Sequence, residues 1–171
     1  MITIRPMTAA DTFPKNDPFP LIGRMIPQYD GARWTYTTAA FSENECGEMV
    51  FPEEEYDLSA DGFFYIGAFD GGSCIGLSVW QREWFRYLYL YDLKVNSAYR
   101  GQGIGRRLID AGMKIARDNG MIGVYTIGQD NNLAACRFYV KCGFAIGGLN
   151  TRVYDGTKQE GKRDIYFYKT L

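Results

Sequence analysis

No histidine occurs among the 171 residues of this chain. That absence excludes histidine-based triads and histidine metal sites, and removes the commonest general base. Any chemistry must run on carboxylates, tyrosines, cysteines, backbone amides or water. Cysteine is sparse. Cys46, Cys74, Cys136 and Cys142 form no CxxC pairs, which reads as reduced, mostly buried thiols. A charge excess is also missing: the formal net charge is −1, so neither nucleic acid nor an anionic membrane is an expected partner. No apolar run could span a bilayer, and "MITIRPMTAAD" lacks the basic-then-apolar layout of an export signal. The expected location is the cytoplasm.

What is present points to a packed globular protein. Hydrophobic residues make up 46% of the chain and aromatics 16%, enough to build a core within one domain spanning residues 1–171. "ITIRPM" alternates as a short strand. "AADTFPKNDPFP" reads as loop, and "RMIPQYDGARWTYTTAAF" and "ENECGEMVFPEEEYD" each read as a helix broken by turns. From residue 62 the signal sharpens. "GFFYIGAFDGGSCIGLSVWQREW" is a hairpin turning at Asp70-Gly71-Gly72, and "RYLYLYDLKV" is a strand apolar on both faces.

A helix follows from about 103 to 119, with Ile104, Leu108, Ile109, Ala111, Ile115 and Ala116 on one stripe and Asn119-Gly120 as its stop. "MIGVYTIG" is another strand. "DNNLAACRFYVKCG" is a short helix that Asp130 or Asn131 can cap and Gly143 can end. Two strands, in "FAIGGLNTRVYDG" and "RDIYFYKTL", close the chain. The order specifies a mixed α/β sheet with helices on its faces.

The stretch "VNSAYRGQGIGRRLIDAG" places glycines 101, 103 and 105 between a strand and a helix. It is not a Walker A sequence, and Arg106 and Leu108 break both registers of a dinucleotide fingerprint. What remains is Arg100-x-x-Gly103-x-Gly105. Glycines allow close approach, a helix start offers unpaired amides and positive potential, and Arg100, Arg106 and Arg107 add charge. A tight turn with glycines for packing alone is the plain alternative. Strand context and three arginines favour a phosphate.

The second helix adds N-x-x-A-x-x-F-Y-x-K-x-G-F, starting at Asn132. Together, R-x-x-G-x-G and this motif resemble the GNAT family of N-acetyltransferases across about residues 62–171. The resemblance implies the acyl-CoA N-acyltransferase fold, a central, mostly antiparallel sheet flanked by helices, with acetyl-CoA as co-substrate and no metal. It assigns the pyrophosphate to Arg100, Gly101, Gln102, Gly103, Ile104, Gly105 and Arg106. It assigns the pantetheine arm and sulfur to Asn132 and Tyr139, and the thioester to backbone amides of Leu93, Lys94 and Val95. Family members are commonly homodimers.

"GARWTYTTAAF", "NNLAACRFYVKCGFAIGGLNTRVY" and "IYFY" are similar, more narrowly, to the streptothricin acetyltransferases. That likeness implies acetylation of a β-lysine amine of the antibiotic, hence resistance. The sequence departs from that group at Tyr91-Asp92, where only the second residue is acidic.

Acetyl transfer to an amine needs a neutral nitrogen, a stabilised oxyanion and a proton for the departing thiolate. A lysine-like amine is only roughly one part in two thousand neutral at pH 7, so a base contributes directly to rate. Asp92 is the candidate base; its plainer reading is a strand-end residue bonded to backbone or solvent, with water relaying the proton instead. Tyr139 is the candidate acid, against a plain role as core filler beside Phe138. Glu53-Glu54-Glu55 reads as a solvated face that could also attract a cationic amine. Cys136 and Cys142 read as packing, and Trp34, Tyr36, Trp80, Trp84 and Phe85 as core, a few of them free to line an amine pocket. Two rivals remain: transfer to another polyamine, amino acid derivative or protein amine, and a non-catalytic acyl-CoA-binding module.

Overall fold

The computed structural model describes all 171 residues, Met1–Leu171. The chain runs β1 (Ile2–Pro6), β2 (Phe19–Leu21), β3 (Gly23–Tyr29), β4 (Trp34–Ala40), β5 (Gly47–Met49), β6 (Phe63–Asp70), β7 (Ser73–Arg82) and β8 (Tyr87–Val95). After a short 3-10 turn (Ser97–Tyr99) come α1 (Ile104–Asp118), β9 (Gly123–Gln129), α2 (Leu133–Lys141), β10 (Ala145–Asn150) and β11 (Asp164–Thr170). The chain forms two compact units, each assembled from separated segments. One comprises Met1–Pro18, Val50–Val124 and Thr170–Leu171; the other comprises Phe19–Met49 and Tyr125–Lys169.

In the first unit the strand order is β1-β6-β7-β8, and each of these pairings is antiparallel. The Gly71-Gly72 turn forms as its sequence implies, with Gly71 at φ +57°. Strand β7 is buried on both faces, which its run Ile75–Trp80 requires. Leu77 and Val79 pack with Met7, Tyr65 and Phe69 on one side. Trp80 lies on the other, fully buried, its indole N–H donating to Ser78 Oγ at 2.9 Å.

Helix α1 covers that second side with Ile104, Leu108, Ile109, Gly112 and Ala116. Burying Leu108 and Ile109 contributes about 1.5–3 kcal/mol each. Gly112 is what lets the helix sit so close: a Cβ there would fall 1.9 Å from the Trp80 ring. Gly120, at φ +70°, ends the helix as expected, its N–H donating to Arg117 O.

In the second unit β9-β11-β10 are neighbours in that order, and β3 pairs with β4 from Gly23 opposite Ala40 to Tyr29 opposite Trp34. This hairpin corrects the broken helix expected there. Trp34-Thr35-Tyr36-Thr37-Thr38 is β-branched and aromatic, a composition that suits a pleated strand. Asp30 makes the turn, its Oδ1 accepting the Ala32 and Arg33 amides at 2.9 and 2.8 Å. The segment after it holds no helix either; β5 pairs with β2. Helix α2 is capped by Asn132, whose Oδ1 accepts the Ala135 N–H at 3.2 Å, rather than by Asp130 or Asn131. Of the aromatics read as core, Trp80 is buried, whereas Trp84 is 93% exposed and Tyr36 39%.

Candidate active site

The glycine loop joins β8 to α1 within the first unit. Asn96 Oδ1 accepts the Ala98 N–H at 3.0 Å and starts the 3-10 turn. Gly101 and Gly103 then adopt left-handed conformations, φ +78° and +77°, which residues with a Cβ reach at a cost. Gly105 does not; it is the second residue of α1 and helical. Gly103 is the N-cap and carries no side chain to accept the first amides of the helix. The first intrahelical donor is Arg107, to Gly103 O at 3.1 Å, so the Ile104 and Gly105 amides precede the ladder. No acid occupies the first turn, and a Cβ placed at Gly101 or Gly103 would meet nothing within 4 Å. Open space, left-handed glycines and unsatisfied amides make a cradle that fits a phosphate.

The arginines divide their work differently from the expectation. Arg100 donates from Nε to Val95 O and from Nη1 to Pro18 O, both at 3.0 Å. Arg107 donates to Ile2 O at 2.9 Å. Both fasten the loop and helix to neighbouring backbone, while Arg106 projects from the exposed face. Gln102 reaches back to Ala98 O at 3.5 Å.

Just upstream, β8 carries a bulge. Val79 faces Asp92 and Trp80 faces Leu90, which leaves Tyr91 as the extra residue. Leu88 and Leu90 are buried, while Tyr89 and Tyr91 meet on the opposite side at 6.0 Å. Strict alternation would send Asp92 to the leucine side. The bulge resets the phase, and Asp92 instead meets Tyr56, whose ring packs on Phe13 and Tyr65 at 4.9 and 6.0 Å.

The Tyr56 hydroxyl donates to Asp92 Oδ2, and Lys94 Nζ lies 3.4 Å from that same oxygen. Lys94, 9% exposed, also donates to Asn16 Oδ1 at 2.7 Å and sits 5.0 Å from the Tyr56 ring. Asp92 Oδ1 accepts from no group of the chain, and the side chain is 27% exposed. The carboxylate is therefore oriented through one oxygen and open at the other. Burial first, and then the Asp92 charge, hold the Tyr56 phenol far above its ordinary pKa, so it stays a donor.

Asn16 links the surrounding segments. Its N–H donates to Glu53 Oε1 at 2.8 Å, and its Nδ2 to Phe51 O and Pro52 O at 3.2 and 2.8 Å. Burial, and then a hydrogen bond with Glu54, raise the Tyr91 phenol. Two members of the Glu53–Glu55 run thus have specific partners. Tyr56 and Asn16 were not legible as site residues: they lie 36 and 78 positions from their β8 partners Asp92 and Lys94. The one sequence hint was a tyrosine directly after three acids.

The second unit holds the other two candidates. Asn132 spends its Oδ1 on capping α2. One and two turns further on, Cys136 is buried and Tyr139 partly buried, its ring 5.7, 5.7 and 5.5 Å from those of Phe138, Phe144 and Phe167. Cys136 donates to Gln129 O at 3.4 Å, and burial, with Asp130 adding to it, pushes its thiol up to about 12. It cannot serve as a thiolate near neutral pH. All four cysteines are unpaired by disulfides, and Cys142 is also buried.

Comparison with known proteins adds to this geometry. The profile of the Acetyltransferase (GNAT) family matches residues 30–144. Streptothricin acetyltransferase A of Bacillus subtilis (strain 168) is 31% identical over 160 residues, 90% of this chain and 89% of that protein. Streptothricin acetyltransferase of Streptomyces lavendulae is 32% identical over 127 residues, 68% of this chain and 67% of that one. Among solved structures, a chain from Bacillus anthracis str. Ames, assigned as a streptothricin acetyltransferase and solved with acetyl coenzyme A, superposes with a TM-score of 0.91. It is 30% identical, with both chains fully covered.

Proposed function

This chain belongs to the GNAT acetyltransferase family, and from that premise we propose that the amine it acetylates is one on the β-lysine part of streptothricin-type antibiotics. It is an acetyl-CoA-dependent N-acetyltransferase with the mixed, mostly antiparallel sheet and helices of that fold. The likeness to streptothricin acetyltransferase A, which runs along 90% of the chain, carries the choice of acceptor.

Acetyl-CoA supplies the acetyl group as a thioester. In our reading, the amides and glycines of Gly101–Gly105 receive the pyrophosphate, flanked by Arg100, Gln102 and Arg106. Asp92 takes the ammonium proton on its open Oδ1, directly or through one water. The amides of Leu93, Lys94 and Val95 serve the thioester; one aimed at the oxyanion is worth about 3 kcal/mol. Asn132 and Tyr139 serve the pantetheine end, and the Tyr139 hydroxyl gives its proton to the thiolate as the carbon–sulfur bond breaks. Support for the roles of Asp92 and the loop comes from the part-exposed Asp92 carboxylate and from the left-handed Gly101 and Gly103 at the start of α1. We further propose that residues 1–171 act as one acetyltransferase domain, in the cytoplasm and as a homodimer; no helix is long and apolar enough to cross a membrane.

The test is release of CoA thiol from acetyl-CoA with streptothricin, alongside lysine-like amines, polyamines and peptides. Turnover with streptothricin far above the rest is expected. Turnover confined to another amine would discard the antibiotic. Thermal stabilisation by acetyl-CoA with no turnover of any amine would favour a binding module.

A further inference from the structure

The bulge in β8 does more than turn Asp92. In a regular strand Tyr91 and Asp92 would point to opposite faces of the sheet; with Tyr91 as the extra residue, both side chains share one face. A circuit of contacts shows it. The Tyr91 ring meets Phe63 edge-on at 6.1 Å, and Phe63 stacks on Tyr65 at 6.1 Å. Tyr65 meets Tyr56 at 6.0 Å, and the Tyr56 hydroxyl donates to Asp92 Oδ2. Tyr89 adds a near-perpendicular ring 6.0 Å from Tyr91. Every member lies in the first unit.

One end of this row already seats an ammonium. Lys94 Nζ lies 3.4 Å from Asp92 Oδ2 and 5.0 Å from the Tyr56 ring, and donates to Asn16 Oδ1 at 2.7 Å. The other end differs: Tyr91 is 43% exposed, its ring steadied between Phe63 and Tyr89. The surroundings are negative. Tyr56 and Leu58 pack a segment onto this face that carries Glu53, Glu54, Glu55, Asp57 and Asp61 and has no lysine or arginine between residues 51 and 62. The nearby arginines serve elsewhere. Arg82, opposite Leu88, donates to Asn119 Oδ1, and Arg86 donates to Gly120 O at 3.2 Å, both at the end of α1.

We propose that Tyr91, steadied by Phe63 and Tyr89, is a cation–π subsite for a second positively charged nitrogen of the acceptor, the one that stays charged while its companion amine reacts beside Asp92. The negative face of an aromatic ring attracts a cation, and the acidic segment alongside repels an anion and draws a cation in. An uncharged alkyl chain gains only the area it buries. Consecutive Cα atoms lie about 3.8 Å apart, so a diamine whose nitrogens are a few methylenes apart spans from the Asp92 carboxylate to the Tyr91 ring. The ligand rests on the amine-acetylation reading; the cation preference rests on the rings and charges of this face.

The experiment titrates the full-length protein, without acetyl-CoA, with two amines by calorimetry. Both carry one primary amine on the same short alkyl chain; the far end is trimethylammonium in one and tert-butyl in the other. The two ends match in shape, and neither donates a hydrogen bond. The wild type should bind the charged probe roughly tenfold more tightly. Tyr91→Phe, which keeps the ring, should hold that preference within about twofold. Tyr91→Leu should cut it to about threefold or less, and so should pentafluorophenylalanine at position 91, which keeps the ring's shape and reverses its quadrupole. Equal binding of the two probes by the wild type would overturn the proposal. So would an undiminished preference in the folded leucine and fluorinated variants. Streptothricin turnover measured alongside separates the two readings. A Tyr91-dependent preference with no acetylation of any amine would sink the acceptor assignment and leave the subsite standing, and acetylation with no preference would do the reverse.

Discussion

Replacing Gly103 with alanine should weaken acetyl-CoA binding out of proportion to its effect on stability. The backbone there sits at φ +77°, and an alanine in that region costs about 1–2 kcal/mol. The new Cβ would touch nothing within 4 Å, so no packing penalty follows. At roughly 2–4 °C per kcal/mol for a chain of this size, Tm should fall about 2–8 °C. The methyl group, however, enters the open space ahead of α1 to which we assign the pyrophosphate. A tenfold rise in Kd, about 1.4 kcal/mol, is the least expected. Gly112→Ala is the matched control. Its Cβ would fall 1.9 Å from Trp80, and overpacking of that kind costs about 1–3 kcal/mol or more, yet Kd of the folded fraction should stay within twofold. Calorimetric titration with acetyl-CoA, paired with thermal melts, reads both quantities. Unchanged affinity in Gly103→Ala, or an equal loss in Gly112→Ala, would refute the assignment of the loop to the cofactor.

Tyr139→Phe keeps the ring contacts with Phe138, Phe144 and Phe167, so its melt should match the wild type while kcat drops about a hundredfold or more; equal kcat across pH would remove the acid role. Asp92→Asn should lower kcat by a similar factor and also lower Tm, because Lys94, 9% exposed, loses its carboxylate; a normal rate would return Asp92 to a structural role. In thiol labelling at pH 8, Cys46 should react first, while Cys136, with its thiol near 12, and the buried Cys142 should wait for unfolding; peptide mapping reads the order. Asp164→Asn should be more stable than the wild type at pH 7. The folded carboxyl titrates above its unfolded value, so the wild type loses stability as pH rises from the unfolded pKa, roughly 3.9, through the folded one. The gain should vanish below about pH 4, and melts at pH 3.5 and 7 check it.

Much of this protein is legible from residue order because the forces are local. Helix α1 follows from an apolar stripe and the Asn119-Gly120 stop, and the β6–β7 turn from Asp70-Gly71-Gly72. The glycine cradle follows from glycines set between a strand and a helix. Local signals misled where two conformations compete at short range. The segment holding β3 and β4 has turn residues and apolar residues that suit a broken helix as well as a hairpin, and cross-strand pairing from Gly23–Ala40 to Tyr29–Trp34 decided it. The cap of α2 was misplaced because Asp130, Asn131 and Asn132 are all good caps. Asp130 is instead drawn to the Arg163 amide, 33 residues away.

By itself, then, the order of residues determined which chemistry was excluded, where the glycine-rich backbone ahead of α1 lies, and which strands and helices carry it. These depend on absent side chains, periods of two and 3.6, and glycine's access to positive φ. Tertiary structure alone decided how the carboxylates are presented. A bulge at Tyr91 turns Asp92 to the aromatic side, where Tyr56 and Lys94 hold one oxygen and leave the other open. In the second unit, Tyr154 donates to Asp164 and accepts from Gln129, residues 10 and 25 positions away. Those outcomes rest on hydrogen bonds between residues tens of positions apart, and no local period encodes which distant partner will reach a carboxylate first.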